Sequence, residues 1–591
     1  MSTILGLSAF YHDSSAALVR DGVLIAAAEE ERFSRKKHDH DFPSLAVDFC
    51  LRQAGIGIQD VDYIVFYEKP FTKFERIFQT SLGTFPRGVA VFRAAMQTWL
   101  LDKLWIKAII REKLNIDRDR IMFCDHHLSH AASSFYCSPF EKAAVLTVDG
   151  VGEWTTTAKG VAAGNEIHLQ NEMRFPHSLG LLYSAFTAFL GFEVNEGEYK
   201  VMGMAPYGEP KYLDKVWQLM DLAEDGSFHL KMEYFKYPYS LKNTYNRNFV
   251  KLFGKPRTPE THFFTKNTGF PSYFGAKPGN YNELEAENQH YADIASSIQK
   301  AVEEIVVRMA RSLQKETGLT DLCMAGGVAL NSVANFRILK ETGFKRLYIQ
   351  PGAGDGGGAI GAALHLAHQV LGEPRRFVMQ HAYWGEEFSD EQAAEFLRSE
   401  NIPHELVKNE DDLVARTVDA LKNKKVIGWH QGRFEFGPRA LGCRSILADP
   451  RSAEMKDIVN TKIKFREPYR PFAPSILAEA AEDYFDLPGI SKQEAAKFML
   501  IVAPVKKEKQ EVIPAVSHMG TGRLQTVFKE TNPRYYKLIQ AFGQATGVPV
   551  LMNTSYNLRG EPIVTTPANA YRTFKASEMD LLVVGNHLVW K

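Results

Sequence analysis

Apolar and polar positions fall in blocks along the first thirty residues. An apolar run TILGLSAF is followed by polar YHDSS, apolar AALVR, the pair Asp21-Gly22 and apolar VLIAAAEE. An Asp-Gly pair between two apolar runs is a strong hairpin signal, so residues 3 to 30 predict strand, polar loop, strand, tight turn, strand. The same pattern recurs as AAVLTV, DGVGEW, TTTAKGVA, a turn at Ala163 to Asn165, and EIHLQ. Two copies of one pattern predict a duplicated pair of lobes whose polar loops face each other across a cleft.

Between the copies, Phe74 to Leu114 is apolar and basic and predicts helices, while Glu196 to Glu287 is loop-rich and reads as an insertion. Beyond it Ile294, Ile298, Ile305, Met309 and Leu313 keep helical spacing, which predicts a long helix ending at Gly318. A strand DLCMA then enters Gly326-Gly327-Val328. A second strand, RLYIQ, enters PGAGDGGG ahead of an Ala-rich helix from Ala359 to Leu371. Strand-glycine-helix units suit phosphate or nucleotide binding, although the same glycines also serve tight turns. Pro and Gly interrupt the pattern over Glu373 to Phe388, which sets a boundary between residues 1–375 and 385–591. The second part alternates strand-like and helix-like runs, so both parts are of the α/β class.

With 591 residues the chain is long enough for several domains. Lys plus Arg (70) equals Asp plus Glu (70), and this balance gives no reason to expect nucleic acid as a partner. The five cysteines are scattered with no C-x-x-C pair, which argues against a disulfide framework or a zinc ribbon and fits a cytoplasmic location. No window approaches the roughly 18 consecutive apolar residues of a membrane span, and no basic n-region precedes the first apolar stretch, so neither membrane nor targeting is expected.

Four residues suggest a metal centre. His126 and His130 stand four apart and share one face of a helix, with His127 pointing elsewhere; alone, such a pair is more often helix surface or capping chemistry. Asp149 ends the first strand of the second copy and Asp355 lies in the Gly-rich loop, so the duplication brings both to the cleft. Two imidazoles and two carboxylates suit a borderline divalent ion such as Fe(II), Mn(II) or Zn(II). His12, in the first polar loop, is a candidate general base or phosphate donor, or simply a cap on a strand end. Gly326, Gly327 and Asn331 open one helix, and Gly354, Gly356, Gly357 and Gly358 open the next. In the second part Arg433, Arg439 and Arg444, then Lys464, Arg466 and Arg470, are interleaved with Gly, Pro and Phe. That setting favours a partly buried anion pocket over structural ion pairs. Arg523, Asn553 and Ser555 offer further donors, or strand-end hydrogen bonds.

Taken together, the His12-Asp13-Ser14-Ser15 loop, AEEERFSRKKHD, HHLSHAASSF, LTVDGVGEW, EGEYKVMGMAPYG, AGGVALN, GAGDGGG, GRFEFGPRALG, KFREPYRPFAPS and NTSYNLRGEPIV resemble the O-carbamoyltransferases of nodulation-factor, cephamycin, aminoglycoside and saxitoxin-type pathways. The resemblance runs nearly the whole length. It implies an N-terminal duplicated actin-like domain similar to the tRNA threonylcarbamoyl-transfer protein, and a C-terminal YrdC-like α/β domain that forms carbamoyl adenylate. It further implies that carbamoyl phosphate and ATP give carbamoyl adenylate and pyrophosphate, and that a small-molecule hydroxyl acceptor then takes the carbamoyl group and releases AMP. Carried onto this chain, His126, His130, Asp149 and Asp355 match metal ligands, with Fe(II) the implied ion, and His12 matches the base. Lys37 matches an adenylate contact, Lys464, Arg466 and Arg470 the carbamoyl phosphate site, and Arg523, Asn553 and Ser555 the ATP site. Two positions depart from the family pattern: Ser517-His518-Met519 replaces a His-x-Asp, and Cys443 stands where glycine is common.

The principal rival is an actin-like ATPase or kinase without carbamoyl transfer, which leaves the Arg-rich second part without a purpose. The acceptor is not legible, because the segments Lys73 to Leu104 and Asn195 to Phe274 that would shape its pocket follow no readable code. Apolar Phe74 to Leu104 suits a homodimer interface or a buried helix pair.

Overall fold

Two five-stranded sheets of one topology occupy the N-terminal part of the chain. In the computed structural model, which describes residues 2–101, 103–464 and 467–591, the first sheet comprises β1 (Thr3–Ser8), β2 (Ser15–Arg20), β3 (Val23–Glu29), β4 (Tyr63–Phe66) and β5 (Ile121–Phe123). The second comprises β6 (Lys142–Val148), β7 (Thr155–Ala163), β8 (Glu166–Arg174), β9 (Asp321–Ala325) and β10 (Arg346–Tyr348). In each, the first three strands form an antiparallel meander and the fourth and fifth add parallel to the first strand. This repeated topology is the duplicated actin-like arrangement that the sequence resemblance implies. The Asp-Gly turn forms as expected: Asp21 (φ 53°) and Gly22 (φ 74°) both have positive φ, as a two-residue hairpin turn with the favoured twist requires.

Helices between the sheets position the cleft. Helices α1 (Pro70–Gly83), α2 (Val89–Leu101) and α3 (Ile106–Leu114) precede β5, and α4 (His126–Phe135) follows it. The long helix α5 (Tyr281–Thr317) ends at Gly318 with φ 67°, and begins within the stretch expected to be loop. Its first turns are dominated by Glu and other polar residues, which hides the apolar period while suiting a helix N-terminus. Rings of Phe74, Phe78, Phe92 and Trp99 join α1 to α2, leaving Phe71, Leu82 and Phe85 exposed. No helix among the described residues is long and apolar enough to cross a membrane.

After α6 (Ser332–Glu341), helix α7 (Gly356–His365) packs against the backbones of β1 and α4. A Cβ on Gly6 would fall 1.9 Å from the Ala359 carbonyl oxygen, and one on Gly361 would fall 1.8 Å from that of Ser129. Neither contact admits any other residue without displacement. The sequence reading placed Gly357 and Gly358 are needed for packing, since their Cβ atoms would lie 2.3 Å from Gly352 O and 2.8 Å from the Tyr67 ring.

Beyond residue 385 an eight-stranded mixed sheet forms from β11 (Glu405–Leu406), β12 (Ile427–His430), β13 (Arg444–Ala448), β14 (Ala473–Leu477), β15 (Gln525–Val527), β16 (Val550–Ser555), β17 (Leu581–Val584) and β18 (His587–Trp590). Its order is β11-β18-β17-β12-β13-β16-β14-β15. The segment after β3 ties the first lobe to this part. Buried Glu29 pairs with Arg32 at 3.3 Å and accepts from Gly437 N, while Arg32 donates to Gly437 O. Arg35 donates to the carbonyls of Ile563 (2.6 Å) and Pro562 (2.7 Å). On the other lobe, His518 Nε2 donates to Gly203 O at 3.2 Å and Asn335 Nδ2 to Leu500 O at 3.0 Å.

Two outcomes are expected. Gly361→Ala destabilises the chain by about 1–3 kcal/mol through overpacking, seen as a lowered thermal midpoint, whereas Gly354→Ala, with nothing within 4 Å of its Cβ, leaves the midpoint in place. Burial, helped by Lys456, pushes the His518 pKa down to about 4. Its contribution to stability is therefore whole above the unfolded value of about 6.5 and lost as pH falls towards 4, at a cost of up to about 3 kcal/mol. Thermal midpoints measured across that window fall less steeply for His518→Gln than for the parent.

Candidate functional site

Four side chains from four elements converge in the cleft. Helix α4 presents His126 and His130, fully buried, with their Nε2 atoms 3.1 Å apart. Asp149 follows β6 and Asp355 caps α7. Asp149 Oδ2 lies 3.3 Å from His126 Nε2 and 3.9 Å from His130 Nε2. Asp355 Oδ1 lies 3.6 and 3.5 Å from the same two nitrogens. One ligand atom from each of the four falls within 4.8 Å of every other. His127 turns away to Thr147 Oγ1 at 2.7 Å, as the helical spacing predicts.

The charges in this cluster oppose burial. Desolvation pushes every member towards its neutral form, yet Asp355 and Asp149 raise the His126 pKa well above its usual value. In turn His126 and His130 hold Asp149 well below the carboxylate range. Two imidazole nitrogens that face each other cannot both present protons, and His130 Nδ1 and Asp355 Oδ2 are buried without hydrogen-bond partners. A divalent cation shared by two imidazoles and two carboxylates resolves this arrangement, so the donor set fits a borderline metal ion.

Residues that motif reading did not single out surround the cluster. Glu153, from the loop after β6, accepts the His126 backbone N–H at 3.1 Å and that of Lys69 at 2.8 Å, capping α4 from another element. Glu68 Oε2 lies 3.7 Å from His126 Nδ1 and pairs with buried Lys73 at 2.5 Å. Burial first, and then Asp355 and Asp149, push the Tyr11 pKa up to about 12. The Tyr67 hydroxyl, beside His126, is buried with no hydrogen-bond partner. A Tyr or Glu without motif spacing gives no signal in a single sequence, although Glu153 lies inside the DGVGEW segment.

His12 stands at the rim of the cluster. Its Nδ1 is 3.0 Å from Asp13 Oδ2 and its Nε2 is 3.7 Å from Asp355 Oδ2. Lys37 pairs with Glu196 across the lobes. Gly326, at φ 92°, admits no Cβ because Val148 O lies 2.3 Å from where it would be, and the Gly327 N–H donates to Asp149 Oδ1 at 2.8 Å. These glycines therefore hold a candidate ligand in place. The Asn331 side chain caps α6 through Ala334 N and pairs with Gln299.

In the C-terminal part the arginines divide. Arg433 donates to the carbonyls of Gly385 and Trp384, and fully buried Arg444 to those of Thr565, Gln431 and Cys443. For these two the expected anion pocket is corrected: their guanidinium groups satisfy backbone carbonyls. Arg439 and Arg470 differ. Burial, together with Arg470, holds the Arg439 pKa down at about 10, and Arg470 lies over the Tyr199 ring at 4.9 Å and 3.6 Å from Glu467. Lys464 Nζ donates to Ser555 O (2.6 Å) and Asn557 Oδ1 (2.8 Å). Asn553 bonds Ser475, Gln525 and Ala440 O, and Arg523 lies in the short ribbon pairing Thr521–Arg523 with Val502–Pro504. Arg466 lies outside the described residues.

The lobes and the C-terminal sheet correspond to two matched family descriptions, Carbamoyltransferase N-terminus over residues 3–364 and Carbamoyltransferase C-terminus over residues 418–591. The chain belongs to the carbamoyltransferase family. It is 47% identical to an uncharacterized protein of Synechocystis sp. over 100% of this chain and 97% of that protein. Its identity to nodulation protein NolNO of Sinorhizobium fredii is 37%, over 98% of this chain and 79% of that protein. It is also 32% identical to a 3'-hydroxymethylcephem-O-carbamoyltransferase of Streptomyces clavuligerus, over 45% of this chain and 48% of that enzyme.

Proposed function

We propose that this carbamoyltransferase makes carbamoyl adenylate in residues 385–591 and transfers its carbamoyl group in residues 1–375 to a hydroxyl of a small-molecule natural product. Atom balance sets the steps. Carbamoyl phosphate and water give carbamate and phosphate, carbamate and ATP give carbamoyl adenylate and pyrophosphate, and the acceptor hydroxyl then releases AMP to leave an O-carbamate. The observation that carries the reading is His12, seated with Nε2 3.7 Å from Asp355 at the edge of four converging ligand-type side chains.

Each group has a task. Arg439, Arg470 and Lys464 present cationic donors for carbamoyl phosphate, and Arg523, Asn553 and Ser555 stand with the nucleotide beside it. Lys37, released from Glu196, meets the adenylate phosphate, with Gly326, Gly327 and Asn331 shaping the same wall. His126, His130, Asp149 and Asp355 would hold a divalent ion, Fe(II) in the reading the resemblance supports, which supplies Lewis acidity towards the phosphate and the carbonyl. His12 takes the proton of the acceptor hydroxyl as the carbon–oxygen bond forms. The buried aromatic and aliphatic lining excludes water, which would otherwise consume a labile adenylate. The cephem relative's hydroxymethyl acceptor supports a natural-product hydroxyl as the acceptor class.

Pyrophosphate release from ATP by the full chain, with no acceptor present, is expected to depend strictly on carbamoyl phosphate. Appearance of ADP and phosphate regardless of carbamoyl phosphate would instead favour the ATPase or kinase reading. Arg470→Ala is expected to lose pyrophosphate release and transfer together, whereas His12→Asn loses transfer alone. In anaerobic equilibrium dialysis, His130→Ala lowers ferrous-ion affinity by about 100-fold or more; unchanged affinity would remove the metal assignment.

A further inference from the structure

The Asp13 carboxylate is held between two imidazoles. Its Oδ2 lies 3.0 Å from His12 Nδ1, and its Oδ1 lies 2.7 Å from His38 Nδ1. An ionised carboxylate only accepts, so each ring meets it with Nδ1–H. Desolvation opposes ionisation, but hydrogen bonds from the two rings hold the Asp13 carboxyl well below its usual range.

The backbone around this triad is fixed on both sides. His38 N donates to Glu31 Oε2 at 2.9 Å, Ser14 N to Asp39 O at 2.8 Å, and Phe10 N to His40 O at 2.8 Å. Residues 38–40 therefore run stitched along the first polar loop. Asp13 (φ 52°) and His38 (φ 53°) both sit in the left-handed region, uncommon for residues with a Cβ, and each is held there by these bonds. Asp13, Glu31 and His38 also cluster closely enough to suggest a cation. Yet both Asp13 oxygens and Glu31 Oε2 already accept hydrogen bonds, so the bonds account for the cluster.

We propose that His38 is a positioning residue for carbamoyl transfer: through Asp13 it fixes His12 in the Nδ1–H tautomer, leaving Nε2 unprotonated and turned towards the cleft. This rests on the reading of His12 as the base. With one imidazole partner, the Asp13 carboxylate is free to rotate about its terminal bond. With two, Oδ2 is committed to His12, and the ring plane of His12 is set by a residue 26 positions away in sequence.

Ring nitrogen shifts of the full-length protein, labelled with 15N at histidine only, report the tautomer; the His12 signals are the ones that vanish in His12→Asn. His12 is expected to be Nδ1-protonated in the parent. His38→Leu is expected to give a mixture of tautomers, and His38→Asn, whose amide replaces the Nδ1–H donor, to restore the parent state. Asp13→Asn moves His12 towards the opposite tautomer. With glycerol as the hydroxyl probe, His38→Leu lowers kcat for carbamoyl transfer about tenfold at unchanged KM for carbamoyl phosphate, and His38→Asn recovers it. A His12 tautomer indifferent to His38→Leu overturns the proposal whatever happens to turnover. Lack of carbamoyl-phosphate-dependent pyrophosphate release in the parent overturns the functional reading instead, and the ring shifts still decide the relay.

Discussion

Backbone meets backbone where α7 crosses β1 and α4, and the geometry of the cleft follows from that contact. Gly6 and Gly361 remove the two side-chain positions that would hold these elements apart by a van der Waals diameter. Because α7 sits so close, its capping Asp355 reaches the histidine face of α4, which is itself oriented by Glu153. A spacing of a few tenths of an ångström between main chains thereby becomes a ligand geometry. The cluster is rigid because its members are carried on packed elements, and rigid supports favour precise polar constellations.

The charge balance of the cleft is the second consequence. Burying two carboxylates and two imidazoles together is unfavourable for each alone, and mutual attraction offsets part of that cost. The shifts in His126 and Asp149 show attraction winning over desolvation. The surrounding groups continue the alternation of sign outward, from His126 to Glu68 to Lys73 on one side and from His12 to Asp13 to His38 on the other. Such alternation holds polar groups in fixed orientations without a net charge that would draw water in.

Local signals in the sequence carried much of the fold. The strand periods, the Asp21-Gly22 turn and the duplicated meander are short-range properties, and each appears where the pattern places it. The pairing of His126 with His130 is likewise local, four residues on one helix. What was not legible depends on partners distant in sequence. Arg433 and Arg444 look like anion ligands by residue type, yet their acceptors are carbonyls up to 121 residues away. Gly357 and Gly358 look like a nucleotide loop because glycine marks close approach without naming what approaches. The start of α5 was hidden because Glu-rich first turns lack an apolar stripe. The family resemblance supplied the long-range assignments that periodicity cannot, including the Asp149 and Asp355 pairing with the histidines.

The ties made by the segment after β3 have a bearing on how the chain comes to exist. Arg35 is bonded to Ile563 across 528 positions, and Thr565 reaches back to the Arg32 carbonyl across 533. During synthesis the first lobe emerges with Glu29, Arg32 and Arg35 ready, but their acceptors are among the last residues made. Contacts of such separation form late, after the intervening elements have ordered. Until the ribosome releases the final strands, those charges remain hydrated, and the two ends of the polypeptide close the molecule together as its last act of folding.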